Sequence, residues 1–319
     1  MHTISGHHHI SMLSKNAKII NDFYQQVLGL RRVKKTVNQD DPSMYHLFFG
    51  DRSGSAGTEL TFFEMPNIGG TVRGSNAITQ IGLLVPSYES LVYWKERFER
   101  LAVNHGEITS YAGRDALHFE DQEGLRMVLL NNNGEKVPNT WQAWTGSEVD
   151  PQHLILGMGT IEITVRHLDR LANTLTELFG YVEASHSDKE AIYQSVAGQS
   201  FGEILIRQDL GPREKPGKGS IHHLAIRAKN EEELRDWEAA VNERGFYTSG
   251  VVDRFYFKSL YFRESNGILF EIATDGPGFT ADSRLEELGK DLSLPPFLEG
   301  RRAEIVQNLL PIDEIGEKK

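Results

Sequence analysis

The alternation of apolar and polar positions along the chain predicts one structural unit that occurs four times. Each copy begins with a short apolar strand, continues into a segment with apolar side chains every three or four residues, and ends with three further strands. In the first copy, residues 8–13 are predicted to form a strand and residues 17–28 a helix, with Ser14 as its N-cap and Gly29 at its end. Strands are then predicted at residues 31–37, 45–49 and 58–65.

The same order of elements recurs in the three later copies. They are predicted to begin with strands at residues 78–85, 160–166 and 221–228, which are followed by helices at residues 87–102, 168–179 and 231–244. Four βαβββ units of this kind predict an α+β fold in which the units pair into two cupped, eight-stranded mixed sheets.

Composition divides the chain into three parts. A segment rich in Asn, Gly and Pro at residues 131–152 predicts a linker between an N-terminal pair of units (1–135) and a C-terminal pair (152–280). The remaining residues, 281–319, are predicted to form a partly helical tail that Pro295 and Pro296 interrupt.

Side chains that bind metals fall at equivalent places of two units. Alignment of the four first strands places these residues in one column: His9, Gln80, Glu162 and His223. Alignment of the four last strands gives a second column: Glu64, Val128, Ile206 and Glu271. The first and fourth units alone carry strong ligands in both columns.

Two imidazoles and one carboxylate on a single face suit a first-row divalent metal and leave open coordination positions. A metal bond of about 2 Å requires the contributing strands to meet at one point. We therefore expect the first and fourth units to share a sheet and the second and third units to form the other. Whether Glu64 is a fourth ligand stays open.

Charge and cysteine content narrow the classes of function. The chain has 34 Lys and Arg against 45 Asp and Glu, a formal charge of −11, which disfavours nucleic-acid binding. It contains no cysteine, so that neither disulfides nor thiolate metal sites are available. No signal peptide or membrane-length apolar run is recognised. These features predict a cytoplasmic protein without a membrane partner, whose oligomeric state stays open.

Four segments carry a resemblance to a known family. They are GHHHIS (6–11), TELTFFEMP (58–66), IHHLAI (221–226) and LFEIATDGPGF (269–279). With the repeat, they resemble the vicinal-oxygen-chelate superfamily, which includes glyoxalase I, bleomycin-resistance proteins and extradiol ring-cleaving dioxygenases. The resemblance is closer to the hydroquinone and methylhydroquinone ring-cleaving dioxygenases and spans residues 3–279.

The resemblance implies iron(II), with manganese(II) left open, held by these three ligands: His9, His223 and Glu271. It also implies substrate-contacting or proton-transferring roles for five residues: His8, Ser11, His222, Arg254 and Tyr261. Strand geometry conflicts with part of this, because adjacent strand residues point to opposite faces. His8 and His222 are therefore expected to face away from the site unless a bulge intervenes.

The implied function is ring cleavage of a hydroquinone- or catechol-type aromatic by dioxygen, with a role in quinone detoxification. One alternative is a glyoxalase-like, metal-dependent lyase or isomerase, which a second carboxylate from Glu64 would favour. The other alternative is a resistance protein that sequesters an aromatic molecule.

Overall fold

The computed structural model describes residues 4–312, so that the first three residues and the last seven residues of the predicted tail lie outside the described part. The first unit comprises β1 (His7–Ser14), α1 (Ala17–Asp22), β2 (Arg31–Val37), β3 (Tyr45–Gly50) and β4 (Glu59–Glu64). The second unit comprises β5 (Ala77–Val85), α2 (Tyr88–Arg100), β6 (Asn104–Tyr111), β7 (Arg114–Glu120) and β8 (Arg126–Asn131).

The third unit comprises β9 (Gly157–Val165), α3 (Leu168–Asn173), β10 (Val182–His186), β11 (Glu190–Gln194) and β12 (Glu203–Gln208). The fourth unit comprises β13 (Ser220–Ala228), α4 (Glu231–Glu243), β14 (Thr248–Asp253), β15 (Phe257–Arg263) and β16 (Leu269–Pro277). The tail contains α5 (Pro296–Glu299) and α6 (Arg302–Asn308), with 3₁₀ turns at Phe279–Ala281 and Leu285–Glu287.

The strands form two eight-stranded mixed sheets, as the repeat predicts. The first sheet has the order β14-β15-β16-β13-β1-β4-β3-β2, and the second has the order β10-β11-β12-β9-β5-β8-β7-β6. The predicted pairing of the first unit with the fourth, and of the second with the third, is thereby confirmed. Each sheet takes strands from both halves of the chain, so the halves are intertwined. The domain bounds at residues 135, 152 and 280 stay a prediction.

The helix of the first unit differs from the sequence prediction in two details. The predicted helix at 17–28 is α-helical at Ala17–Asp22 and then continues as a π-helical turn over Phe23–Val27. Asn16, rather than Ser14, is the N-cap of α1, because its side chain accepts the hydrogen bond from the backbone N–H of Ile19. Ser14 supports the cap by accepting from the backbone N–H of Asn16.

Strand alternation separates the core from the site. Ile10 and Met12 in β1 belong to the largest apolar cluster, which also contains helical residues such as Trp94 and Trp237. His9 and Ser11, which alternate with these two residues along the strand, line a cavity on the other face. The helices thus cover one face of the sheets, and the opposite face of the first sheet is left for polar side chains. No helix among residues 4–312 is both long and apolar enough to span a membrane.

The tail packs against the outer strand of the first sheet. Leu292 forms a parallel bridge with Lys35 in β2. The fully buried ammonium of Lys34 donates to Asp282 at 2.7 Å and lies 4.5 Å from the ring centroid of Tyr256. Pro296 starts α5 instead of interrupting a helix, since proline fits the first turn, where its missing N–H has no partner to lose.

We expect the ion pair between the buried Lys34 and the partly exposed Asp282 to contribute to stability. Lys34→Met should lower the free energy of unfolding by about 1–2 kcal/mol, because it removes the hydrogen bond of the ammonium to Asp282, whose carboxylate still accepts from Tyr256 and Ser283. Lys18→Met, which removes an exposed pair with Asp22, should lower it by less than about 0.5 kcal/mol. Urea unfolding of both variants measures the difference, and equal losses would contradict this role of Lys34.

Candidate metal centre

A cavity of about 460 Å³ lies on the polar face of the first sheet, between the first and fourth units. Seven of the eight residues singled out in the sequence line it: His9, Ser11, His222, His223, Arg254, Tyr261 and Glu271. The eighth, His8, lies directly behind His9, with its ring centroid 5.1 Å from that of His9. The structure therefore brings together residues that are up to 263 positions apart in the sequence, from His8 to Glu271.

Three donor atoms converge at the deep end of the cavity. Nε2 of His9 lies 3.2 Å from Oε2 of Glu271, and Nε2 of His223 lies 2.8 Å from the same oxygen. The two Nε2 atoms are 3.3 Å apart. Neighbouring ligands of an octahedral ion with bonds of about 2.1 Å stand about 3.0 Å apart. The donor set therefore fits three positions on one face of an octahedral divalent metal.

Strand pairing positions these donors. β1 and β13 pair antiparallel with Ser11 opposite His223, which places His9 and His223 side by side at the centre of the sheet. Glu271 stands on β16, next to β13. The hydroxyl of Ser259 donates to Oε1 of Glu271 at 2.5 Å, which leaves Oε2 directed at the histidines. Burial would raise the pKa of Glu271, but the histidines hold it well below its ordinary value, so the carboxylate is ionised.

Two β-bulges place His8 and His222 beside the site, contrary to the simple alternation rule. The pairing shifts between His7 and His9, where His8 is the extra residue of β1, and again between Ser11 and Met12, where His222 is the extra residue of β13. A bulge redirects the extra side chain and leaves it without a cross-strand partner. β1 and β13 are equivalent strands of the repeat. In both of them, the bulge directs the first histidine of the pair towards the second.

Hydrogen bonds determine which nitrogen of His9 is free. The backbone carbonyl of Thr274 only accepts, so Nε2 of His8, at 3.0 Å, carries a proton and donates to it. Burial lowers the pKa of His8 to about 3, so its ring is neutral and its Nδ1 is unprotonated. That Nδ1 accepts from Nδ1 of His9 at 3.0 Å. With Nδ1 of His9 engaged in this way, Nε2 is the nitrogen left to bind a metal, and it faces Glu271 and His223.

A second group of potential ligands lies nearby: His8, His9 and Glu59. Both ring nitrogens of His8 already have hydrogen-bond partners, and burial raises the pKa of Glu59 well above its ordinary value. A protonated carboxyl group and an engaged imidazole are poor ligands. The group of His9, His223 and Glu271 is therefore the better candidate.

Arg254 and Tyr261 form one wall of the cavity. Tyr261 stands opposite Glu271 in the pairing of β15 with β16. Burial raises the pKa of Tyr261 above its ordinary value, so its hydroxyl is protonated and able to donate. The guanidinium carbon of Arg254 lies 5.5 Å from the centroid of the Tyr261 ring, and its two terminal nitrogens each lie 3.2 Å from an oxygen of Asp40.

The register of β4 corrects the position expected for Glu64. Glu271 pairs with Ala225, two residues after His223. The equivalent position two residues after His9 is Ser11, and its partner on β4 is Thr61. Glu64 pairs with Ser14 three residues further on, where its carboxylate accepts from the backbone N–H of Ala17 at the start of α1. Thr61 therefore occupies the position in the first unit that Glu271 occupies in the fourth, and its hydroxyl is a weak ligand for a divalent metal of this class.

In the third unit, the sequence alignment of the last strand is wrong by one residue. Thr164, two residues after Glu162, pairs with Arg207, so Arg207 replaces Ile206 in the second column. Val128 is the partner of Gly82, two residues after Gln80, as the sequence alignment has it. The second and third units therefore still lack a metal ligand in that column.

His46 lines the cavity and was missed in the sequence. Its Nε2 lies 3.2 Å from Oγ1 of Thr61, which lies 2.7 Å from Oγ of Ser11. The imidazole ring stacks on Phe63, with ring centroids 4.1 Å apart. In the fourth unit, Ser259 occupies the position equivalent to His46 and contacts Glu271, as His46 contacts Thr61. Comparison of the third strands of the first and fourth units would have identified this residue.

Comparisons with known proteins find similarity to one family. A family model described as the Glyoxalase/Bleomycin resistance protein/Dioxygenase superfamily matches residues 157–272. MhqA of Bacillus subtilis (strain 168), named as a candidate ring-cleaving dioxygenase, is 48% identical over 315 residues, which are 97% of this chain and 99% of that protein. The chlorohydroquinone/hydroquinone 1,2-dioxygenase of Sphingobium indicum is 27% identical over 96% of both chains.

Two solved structures share the fold of this chain. The crystal structure of a candidate dioxygenase from Bacillus subtilis subsp. subtilis str. 168 superposes with a TM-score of 0.91 at 34% identity, covering 98% of this chain and 99% of that one. Glyoxalase I from Zea mays superposes with a TM-score of 0.63 at 12% identity, covering 85% of this chain and 92% of that one. The second likeness is one of fold.

We expect His9→Ala, His223→Ala and Glu271→Ala each to abolish tight binding of a divalent metal, since each removes one of three converging donors. Glu64→Gln is the matched control and should retain about one ion per chain, because its amide oxygen still accepts from Ala17. Metal content after anaerobic loading and gel filtration measures this, with circular dichroism to verify folding. Loss of metal in Glu64→Gln would contradict the three-donor site.

Proposed function

This chain belongs to the Glyoxalase/Bleomycin resistance protein/Dioxygenase superfamily, and on that premise we propose that it is an iron(II)-dependent, extradiol-type ring-cleaving dioxygenase. Its proposed substrates are hydroquinone- or catechol-type aromatics, and its proposed role is quinone detoxification in the cytoplasm. The relatives named for ring cleavage support this reaction. The observation that carries the proposal is the presence of Thr61 where a fourth ligand would stand.

A set of two histidines and one carboxylate leaves coordination positions for other groups. Thr61 adds no second carboxylate, and Glu64 is engaged with the start of α1. Bound iron(II) would supply the redox chemistry of dioxygen and lower the pKa of a substrate hydroxyl. Nitrogen and oxygen donors of this kind also accept manganese(II), so the choice of iron rests on the proposed reaction.

The walls of the cavity suit an aromatic ring. Phe48, Phe63 and Phe257 contribute aromatic side chains, and Met44 and Leu269 contribute aliphatic ones. Apolar walls with a few polar groups at one end are typical of sites that bind and orient a small molecule. A ring packed between these walls would direct its hydroxyl groups towards His9 and His223.

The polar residues have separate roles in the proposed reaction. Tyr261 is protonated and donates a hydrogen bond to a ring oxygen, which steadies negative charge there. His222 contacts Nδ1 of His223 at 2.8 Å and lies where it can exchange a proton with the bound ring. His8 holds His9 in the tautomer with a free Nε2. Ser11 orients the hydroxyl of Thr61, and Arg254 marks the outer end of the site.

The glyoxalase-like alternative loses its main support. A second carboxylate from Glu64 would favour it, but Thr61, and not Glu64, pairs with Ser11, two residues after His9. The likeness to glyoxalase I, at 12% identity, extends to the fold. The other alternative is a protein that sequesters an aromatic molecule. An experiment has to distinguish it from an enzyme, because the same cavity would bind such a molecule without any reaction.

Turnover tests the proposal directly. The iron-loaded protein should consume about one dioxygen per methylhydroquinone, with loss of the aromatic absorbance, because both oxygen atoms enter the product of ring cleavage. Glu271→Gln should show no uptake above background. An oxygen electrode and ultraviolet spectra measure both changes. Anaerobic turnover of a methylglyoxal–thiol adduct, with no oxygen uptake on hydroquinones, would contradict the proposal.

A further inference from the structure

The mouth of the cavity is formed by two loops from different units. The loop between β2 and β3 contributes Gln39 and Asp40, and the turn between β14 and β15 contributes Arg254. The amide of Gln39 donates to the backbone carbonyl of Arg254 at 2.8 Å. The guanidinium of Arg254 donates to both oxygens of Asp40 at 3.2 Å. The two loops are thus joined at the entrance by a hydrogen bond from a side chain to the backbone and by an ion pair.

The charges around the cavity are few. Among the described residues that line it, Arg254 is the one lysine or arginine, and Asp40 and Glu271 are the acidic residues. Glu271 lies at the deep end, beside the histidines. At the mouth, the positive charge of Arg254 is therefore matched by the negative charge of Asp40, so an incoming ring meets no unpaired cation there.

We propose that Asp40 determines the charge preference of the site, so that it accepts rings with uncharged substituents and disfavours rings that carry a carboxylate. The proposal rests on the proposed ring-cleaving function and specifies its substrate class. A carboxylate on the ring gains nothing at the mouth unless it displaces Asp40 from Arg254, and it is repelled by Asp40 while that pair persists. An uncharged substituent meets neither cost and packs against Met44, Phe48 and Phe63.

The chain offers a matched control for Asp40. Asp41 is the next residue of the same loop and carries the same charge. Its Oδ1 accepts from the hydroxyl of Ser43 at 2.6 Å, and it does not line the cavity. Asp41→Asn therefore changes the net charge as Asp40→Asn does, without releasing Arg254. The Asp40 side chain is 73% exposed, so its replacement leaves the core unchanged.

Two ligands that differ in one substituent test the proposal. 2,5-Dihydroxybenzoate and methylhydroquinone share the 1,4-dihydroxy ring and carry a carboxylate and a methyl group, respectively. Their dissociation constants would be measured by anaerobic calorimetry on the metal-loaded wild type, Asp40→Asn and Asp41→Asn. Asp40→Asn should bind 2,5-dihydroxybenzoate about 5- to 10-fold more tightly, while binding of methylhydroquinone changes less than about 2-fold. Asp41→Asn should change both by less than about 2-fold.

The possible outcomes distinguish a failure of this proposal from a failure of the proposed ring-cleaving reaction. An Asp40→Asn variant that leaves the ratio of the two constants unchanged, or an Asp41→Asn variant with the same effect, overturns the proposal, as does absence of binding of both rings. Since binding is read without dioxygen, the predicted change of ratio supports charge selection even in a protein that then consumes no dioxygen. That last result would contradict the proposed reaction alone.

Discussion

The antiparallel pairing of β1 with β13 is the contact on which the rest of the site depends. It joins the first and fourth units across most of the length of the chain, with Ser11 opposite His223. Its two bulges turn His8 and His222 towards His9 and His223, so one strand pair supplies both histidine donors and the residues that hydrogen-bond to them. The position of the candidate metal site therefore depends on the pairing register of two strands, and strands hold side chains more rigidly than loops do.

The repeat also explains why one sheet carries the candidate centre and the other does not. In the first sheet, equivalent positions hold His9 and His223, and Glu271 adds a carboxylate where the first unit has Thr61. In the second sheet, the paired positions hold Gln80 and Glu162. There Arg207 donates to Glu162 at 2.6 Å, so a guanidinium of the protein balances the carboxylate.

Much of this could be predicted from the sequence, because periodicity and repeated ligands are properties of residue order. The βαβββ units, the pairing of the sheets and the convergence of His9, His223 and Glu271 all followed from the repeat. The position of Glu64 did not, because the similar segments LTFFEM and GILFEI begin their parallel pairing at different residues. The bulges at His8 and His222 likewise depend on cross-strand register, which one strand alone does not reveal.

We propose that three side chains hold one divalent metal where the first and fourth units meet. Anomalous diffraction from anaerobic crystals loaded with iron(II) would locate that metal. We predict one strong peak, about 2.0–2.3 Å from Nε2 of His9, Nε2 of His223 and Oε2 of Glu271, with no fourth protein ligand. A peak bonded to His8 and Glu59, or a coordination sphere completed by a second carboxylate, would show that these three side chains are not the ligands.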